Sequence, residues 1–297
     1  VSSNNSSRTR SFAGVAWLLG GFVLLVLSDA TAKWLTESHG VVQIVSVRAA
    51  ILVTGLTAFF ALRGRRDVLH AGDLKMQVIR GCLACGSVYL FIFGLRYVQL
   101  AEAAAAAYLG PVIMTGLAPI MLGERVGIHR WSAVLLGFMG MLIMLRPSAD
   151  SIAWAMLLPA SAAVFGALRD IVTRKMRSSG HPVAVLLYSN LIIMSVGLPF
   201  LLFVWQPFSL AETGLLFLSA ALIGSAHLMH IHAFRLEEAS VLAPFRYTGI
   251  IWGVLFGFLI WGDLPDSGVM TGAMVVIASG LYIYWRERRR AMADADK

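Results

Sequence analysis

The chain has 297 residues, of which 58% are hydrophobic and 13% charged, with a net charge of +8 and a mean hydropathy of +0.77. A soluble domain carries about 25% charged residues, so there is too little polar surface here to clothe a water-soluble globule. The positive charge does not point to nucleic acid, because the lysines and arginines sit in short clusters between apolar runs, where they orient membrane spans.

Residues 1–11 are polar, carry Arg8 and Arg10, and read as an irregular tail. The apolar run that follows is longer than a signal-peptide core and lacks a small-residue cleavage site, so it reads as a retained span. Apolar runs of roughly 20 residues then recur along the chain, each long enough to cross the hydrocarbon. They predict ten spans, at 12–35, 41–62, 74–95, 99–122, 130–146, 152–173, 182–204, 210–233, 238–261 and 267–285. The joins are brief and carry turn chemistry, as in Glu37-Ser38-His39-Gly40 and Gly262-Asp263-Leu264-Pro265-Asp266.

Lysine and arginine divide the joins into two sets. Arg8, Arg10, Arg63, Arg65, Arg66, Lys75, Arg125, Arg130, Arg174, Lys175, Arg177, Arg235 and the run from Arg286 to Arg290 fall on one side, with Arg96, Arg146 and, near the end of the first span, Lys33 on the other. The rule that positive joins stay inside places both termini in the cytoplasm. The chain divides into spans 12–146, a join at 147–151, spans 152–285 and a basic tail at 286–297. Five spans per half means that the halves enter the membrane in opposite directions. An ungapped overlay of Arg96–Glu124 on Arg235–Asp263 puts Tyr108 on Tyr247, Gly110 on Gly249 and Glu124 on Asp263. The predicted fold is an all-α polytopic membrane protein of ten transmembrane helices in two inverted five-helix repeats. In such a fold the substrate site lies at the repeat interface.

Charges inside the spans are costly, on the order of 2.5–3.5 kcal/mol each, and need a partner or a wet cavity. The candidates are Asp29, Lys33, Arg48, Arg80, Arg169, Asp170 and Arg246. Arg80 is near a span end and is expected to snorkel outward. Lys33 follows Asp29 by four residues, which predicts a local ion pair. Arg169 and Asp170 are expected to pair with a neighbouring span. Arg48 and Arg246 are deeper, and for each a substrate contact and a structural ion pair stay open. Asp29 and Asp170 have three open roles: neutralising the arginines, anchoring the repeats, or carrying a coupling proton.

Tyr89, Tyr108, Tyr247 and Trp252 are mid-span aromatics that offer ring faces to a substrate, with core packing as the competing reading. Gly249, Gly253 and Gly257 form a ladder of small residues that invites close helix approach. Pro244 and Pro111 disturb their helices and read as hinges. His227, His230 and His232 lack the companions of a metal site, so no metal and no cofactor are expected. Cys82 and Cys85 read as packing residues. There is no nucleotide-binding glycine loop, nucleophile elbow or zinc-protease helix, which argues against an ATP-driven pump and the common membrane enzymes.

Several stretches carry a family resemblance. Ala101-Glu102-Ala103 leads to Tyr108-Leu109-Gly110-Pro111, followed by Leu122-Gly123-Glu124-Arg125 and Gly137-Phe138-Met139-Gly140. Ala243-Pro244-Phe245-Arg246-Tyr247 and Trp261-Gly262-Asp263-Leu264-Pro265-Asp266 answer them in the second half. On these the chain resembles the drug/metabolite transporter superfamily of the EamA type. Its Ala-Pro-Phe-Arg-Tyr stretch is similar to a branch of bacterial riboflavin importers and S-adenosylmethionine uptake proteins. The resemblance implies ten spans, cytoplasmic termini and a site between the repeats.

The expected function is secondary transport of a small polar metabolite across the bacterial cytoplasmic membrane, with riboflavin uptake first. S-adenosylmethionine uptake and amino-acid export are the alternatives, and a polytopic membrane enzyme is the rival of a different class. The expected partners are a small-molecule substrate and the lipid bilayer, with a homodimer left open and nucleic acid excluded.

Overall fold

A bilayer offers no water to unpaired backbone groups, so each apolar run must satisfy its own N–H and C=O groups and does so as a helix. The computed structural model describes residues 2–107, 109–122, 128–145, 154–176, 181–236 and 248–295. They form α1 (Ser2–Leu35), α2 (Val41–Leu62), α3 (Leu74–Leu95), α4 (Leu100–Ala107), α5 (Leu109–Leu122) and α6 (Ile128–Leu145). The second half holds α7 (Leu157–Lys175), α8 (Pro182–Val204), α9 (Leu210–Leu236), α10 (Thr248–Trp261) and α11 (Ser267–Ala295). Five helices among the described residues are long and apolar enough to cross a bilayer unaided: Ala13–Leu35 of α1, α2, α3, α8 and Leu210–His230 of α9. The chain is an all-helical, multi-pass membrane protein.

The helix starts are written in the sequence. Asp73 accepts a hydrogen bond from the backbone N–H of Met76 at 3.1 Å and caps α3. His181 caps α8, with Pro182 at the first helical position. Ser209 and Glu212 form a reciprocal capping box at α9, with bonds of 3.3 and 2.8 Å. Asp266 accepts from the N–H groups of Gly268 and Val269 to start α11.

One expectation is corrected. Residues 2–11 continue α1 instead of forming an irregular tail, since no proline or glycine interrupts the helix before Phe12. Residues 286–295, part of the stretch read as a basic tail, prolong α11 through a sequence rich in arginine and alanine that favours helix.

The packing has an internal order. α1 lies on α9 and α3 lies on α7; α2 lies on α8 and α6 on α11. Exchanging the halves turns the first pair into the second and leaves the other two unchanged. The same exchange relates α3–α8 to α2–α9, and α4–α7 to α1–α10. The core along these seams is rich in alanine, with Ala30, Ala32, Ala49, Ala84, Ala103 and Ala106 all buried. Small side chains allow the close approach on which helix association in lipid depends.

Candidate functional site

The buried charges gather where the seams meet. The offset that carries Val41 onto Pro182, the first residues of α2 and α8, also carries Asp29 onto Asp170 and Arg48 onto Ser189. The offset of the Arg96–Arg235 overlay carries Arg80 onto Ser219. Each half therefore holds one of these aspartates, while both arginines lie in the first half and each is matched by a serine in the second.

Arg80 turns into the bundle. Its Nε donates to Thr173 Oγ1 at 2.7 Å, and its Nη1 donates to Ser189 Oγ at 2.5 Å and to the Val185 carbonyl at 3.4 Å. This corrects the snorkelling expectation: acceptors on α7 and α8 are nearer than the headgroups. Arg169 pairs with its neighbour Asp170, Nη2 to Oδ1 2.9 Å. Arg80 stands within electrostatic range of both. On the opposite seam Ser28 of α1 and Ser219 of α9 bond each other, Oγ to Oγ 3.2 Å.

Arg48 is 5% exposed. It faces Asp29 electrostatically, and Tyr89 lies within the same range. Its Nη1 is buried and has no hydrogen-bond acceptor among the described residues. Tyr89 donates to the Ile193 carbonyl at 3.2 Å and lies 3.0 Å from Ser46 Oγ, so its hydroxyl ties α3 to α2 and α8. Trp252 on α10 stacks on Phe256, centroids 6.3 Å apart, and packs against the buried cluster of Leu18 and Phe22 of α1 with Ala233 of α9. Its indole Nε1 is buried with no acceptor among the described residues. His227 Nδ1 donates to the Ile223 carbonyl at 2.8 Å, while His230 lies against Phe22 and His232 stacks on Trp17.

Lys33 does not pair with Asp29. Its Nζ lies 3.8 Å from Asp263 Oδ2, donates to the Val98 carbonyl at 3.0 Å, and sits 5.0 Å from the centre of the Trp261 ring. Trp261 in turn donates to Glu37 at 3.1 Å. A side chain one turn back competes poorly with a carboxylate, a carbonyl and a ring offered together by the joins at one end of the bundle.

Gly249, Gly253 and Gly257 are all buried, and Gly253 faces Ala104 and Ala101 of α4, so closely that an added methyl would lie 3.2 Å from the Ala104 Cβ. Pro111 lies within α5. Tyr108, Pro244, Arg246 and Tyr247 lie outside the described residues, as does the part of the predicted ninth span before Thr248. A separate cavity of about 400 Å³, lined by Thr57, Ala61, Leu69, His70 and Tyr188, shares none of the charged residues.

Sequence reasoning missed Ser28, Ser46, Ser189 and Ser219, all buried and all bonded across helices. A hydroxyl in a span carries no alarm of its own. The repeat offset was the available signal, since it sets Ser189 opposite Arg48 and Ser219 opposite Arg80.

Residues 12–146 match the EamA-like transporter family. The chain is 24% identical over 286 residues to the S-adenosylmethionine uptake transporter of Rickettsia bellii, covering 96% of this chain and 98% of that one. It is 27% identical over 285 residues to the riboflavin transporter of Vibrio cholerae, covering 95% and 96%. A solved crystal structure superposes with a TM-score of 0.64 over 96% of this chain and 98% of its own, at 14% identity, which shows a shared fold. Both of these sequence relatives are named as transporters, not as enzymes.

Proposed function

We propose that this chain is a secondary transporter of the bacterial inner membrane that takes up a small polar metabolite, with riboflavin as the substrate. Residues 12–146 and 152–285 are its two inverted repeats, and both termini face the cytoplasm. The observation that carries the proposal is Arg48: a guanidinium 5% exposed, inside a lipid-soluble bundle, with a donor left unspent. A structural role alone would fill that donor, as it does for Arg80. Trp252 adds a ring face and a second unspent N–H, which suits a planar heterocycle with carbonyl oxygens. The likeness to the riboflavin transporter of Vibrio cholerae supports the substrate.

S-adenosylmethionine is the second reading, favoured by the likeness to the Rickettsia uptake transporter. The test is growth of a riboflavin-auxotrophic bacterium expressing this chain on limiting riboflavin. Rescue is expected. Absence of rescue with normal membrane expression removes riboflavin and leaves the transporter reading standing.

A further inference from the structure

Arg48 and Arg80 are both interior arginines, and they differ in how their donors are used. A guanidinium carries five N–H donors in a fixed fork. Arg80 spends its donors on Thr173, Ser189 and Val185. Arg48 keeps Nη1 buried and without an acceptor among the described residues, although Asp29 supplies opposing charge. A buried unpaired donor on a charged group is among the costliest omissions in a fold, and it asks for an acceptor from elsewhere.

Other orphan atoms sharpen the pattern. Gln77 Oε1 and Gln99 Oε1 also lack donors, but Gln77 belongs to the first turn of α3 and Gln99 precedes α4, so both lie at the ends of the bundle. Deeper in the helices, Arg48 Nη1 on α2 and Trp252 Nε1 on α10 are both donors. The charges lean the same way. Among the described residues of this interior, Arg48, Arg80 and Arg169 stand against Asp29 and Asp170, one cation in excess.

We infer that this interior selects its solute by charge: it takes an acceptor-rich molecule without a permanent cation, held at Nη1 of Arg48, and rejects cationic solutes. The inference rests on the transporter reading. A permanent cation would enter a site with surplus positive charge, where like charges repel strongly in low dielectric. Riboflavin fits, since its ring presents carbonyl and nitrogen acceptors and no charge. S-adenosylmethionine carries a permanent sulfonium and does not fit.

The test uses the full chain, purified and reconstituted in liposomes, with labelled riboflavin, S-adenosylmethionine and a panel of neutral, anionic and cationic metabolites. Wild type is compared with Arg48→Lys, which keeps a cation opposite Asp29 and gives up the planar fork. Neutral or anionic solutes are expected to accumulate, with S-adenosylmethionine no higher than in empty liposomes. In Arg48→Lys the half-saturation concentration is expected to rise at least tenfold with little change in thermal stability. Preferred uptake of a permanent cation by wild type overturns the inference, as does a stable Arg48→Lys variant with unchanged half-saturation. Should that variant not fold, the charge preference of wild type decides alone. Uptake of a non-cationic solute other than riboflavin supports the inference while removing the named substrate. Movement of no solute at all defeats the transporter reading, and this inference with it.

Discussion

Arg80 on α3 donates to Ser189 on α8 at 2.5 Å, and Thr173 on α7 takes a second bond from the same guanidinium at 2.7 Å. One side chain thereby joins three helices, two of them from the second half of the chain. Hydrogen bonds between helices in lipid are worth about 0.6 kcal/mol on average and up to about 1.7. A charged donor lies towards the upper end of that scale. Arg80→Met should therefore lower unfolding stability by roughly 2 kcal/mol, partly offset by the desolvation it relieves. Ser189→Ala alone should cost less, because it leaves Arg80 its bonds to Thr173 and Val185. A double-mutant cycle on thermal unfolding in detergent reads the coupling directly, and zero coupling would deny the bond its structural role.

Lys33 should show coupling to Asp263 and none to Asp29. The Lys33–Asp263 distance is 3.8 Å, and both side chains keep some exposure, 14% and 31%. Such a pair contributes roughly 0.5–1 kcal/mol after screening, and the Trp261 ring adds a similar amount through its π face. Lys33→Met with Asp263→Asn should give a coupling energy of that size in unfolding measurements. Lys33→Met with Asp29→Asn should give additive effects. Coupling on the Asp29 arm would restore the local i,i+4 pair that the structure replaces.

These two arginine and lysine sites show which parts of the molecule the sequence discloses. Spans 41–62, 74–95 and 182–204 are found to the residue, because Gly40, Asp73 and Pro182 punctuate them and the apolar runs between are unbroken. Periodicity and capping are local, so they can be read along the chain. Which acceptor a long side chain chooses is settled by elements distant in sequence: Val98 and Asp263 for Lys33, Ser189 and Thr173 for Arg80. Asp29 and Arg48 were identifiable as costly, and neutralising an arginine was one of three roles left open for Asp29; which arginine it faces depends on how the helices pack. The serines were legible only through the repeat offset, which gives position and not orientation.

Gly197 should tolerate no side chain. A Cβ there would collide with the hydroxyls of Ser46 and Tyr89, which are held in place by their own bonds between α2, α3 and α8. Gly197→Ala should destabilise by about 1–3 kcal/mol, the usual cost of overpacking. Combining it with Ser46→Ala and Tyr89→Phe removes both oxygens and should recover part of that loss. If Gly197→Ala is as stable as wild type, α8 stands farther from α2 and α3 than this packing implies.

Trp252 separates stability from binding. Its ring packs against α1 and stacks on Phe256, yet its Nε1 is buried without an acceptor among the described residues. Trp252→Phe keeps an aromatic ring and removes the orphan donor. The smaller ring leaves a cavity, and the deleted donor relieves a desolvation penalty of about 1–3 kcal/mol. The two nearly cancel, so the ligand-free variant should unfold within about 1 kcal/mol of wild type. If the indole serves the solute, riboflavin should raise the melting temperature of wild type and raise that of Trp252→Phe by less. Equal stabilisation of both proteins would make Trp252 a packing residue and leave Arg48 to recognise the solute without it.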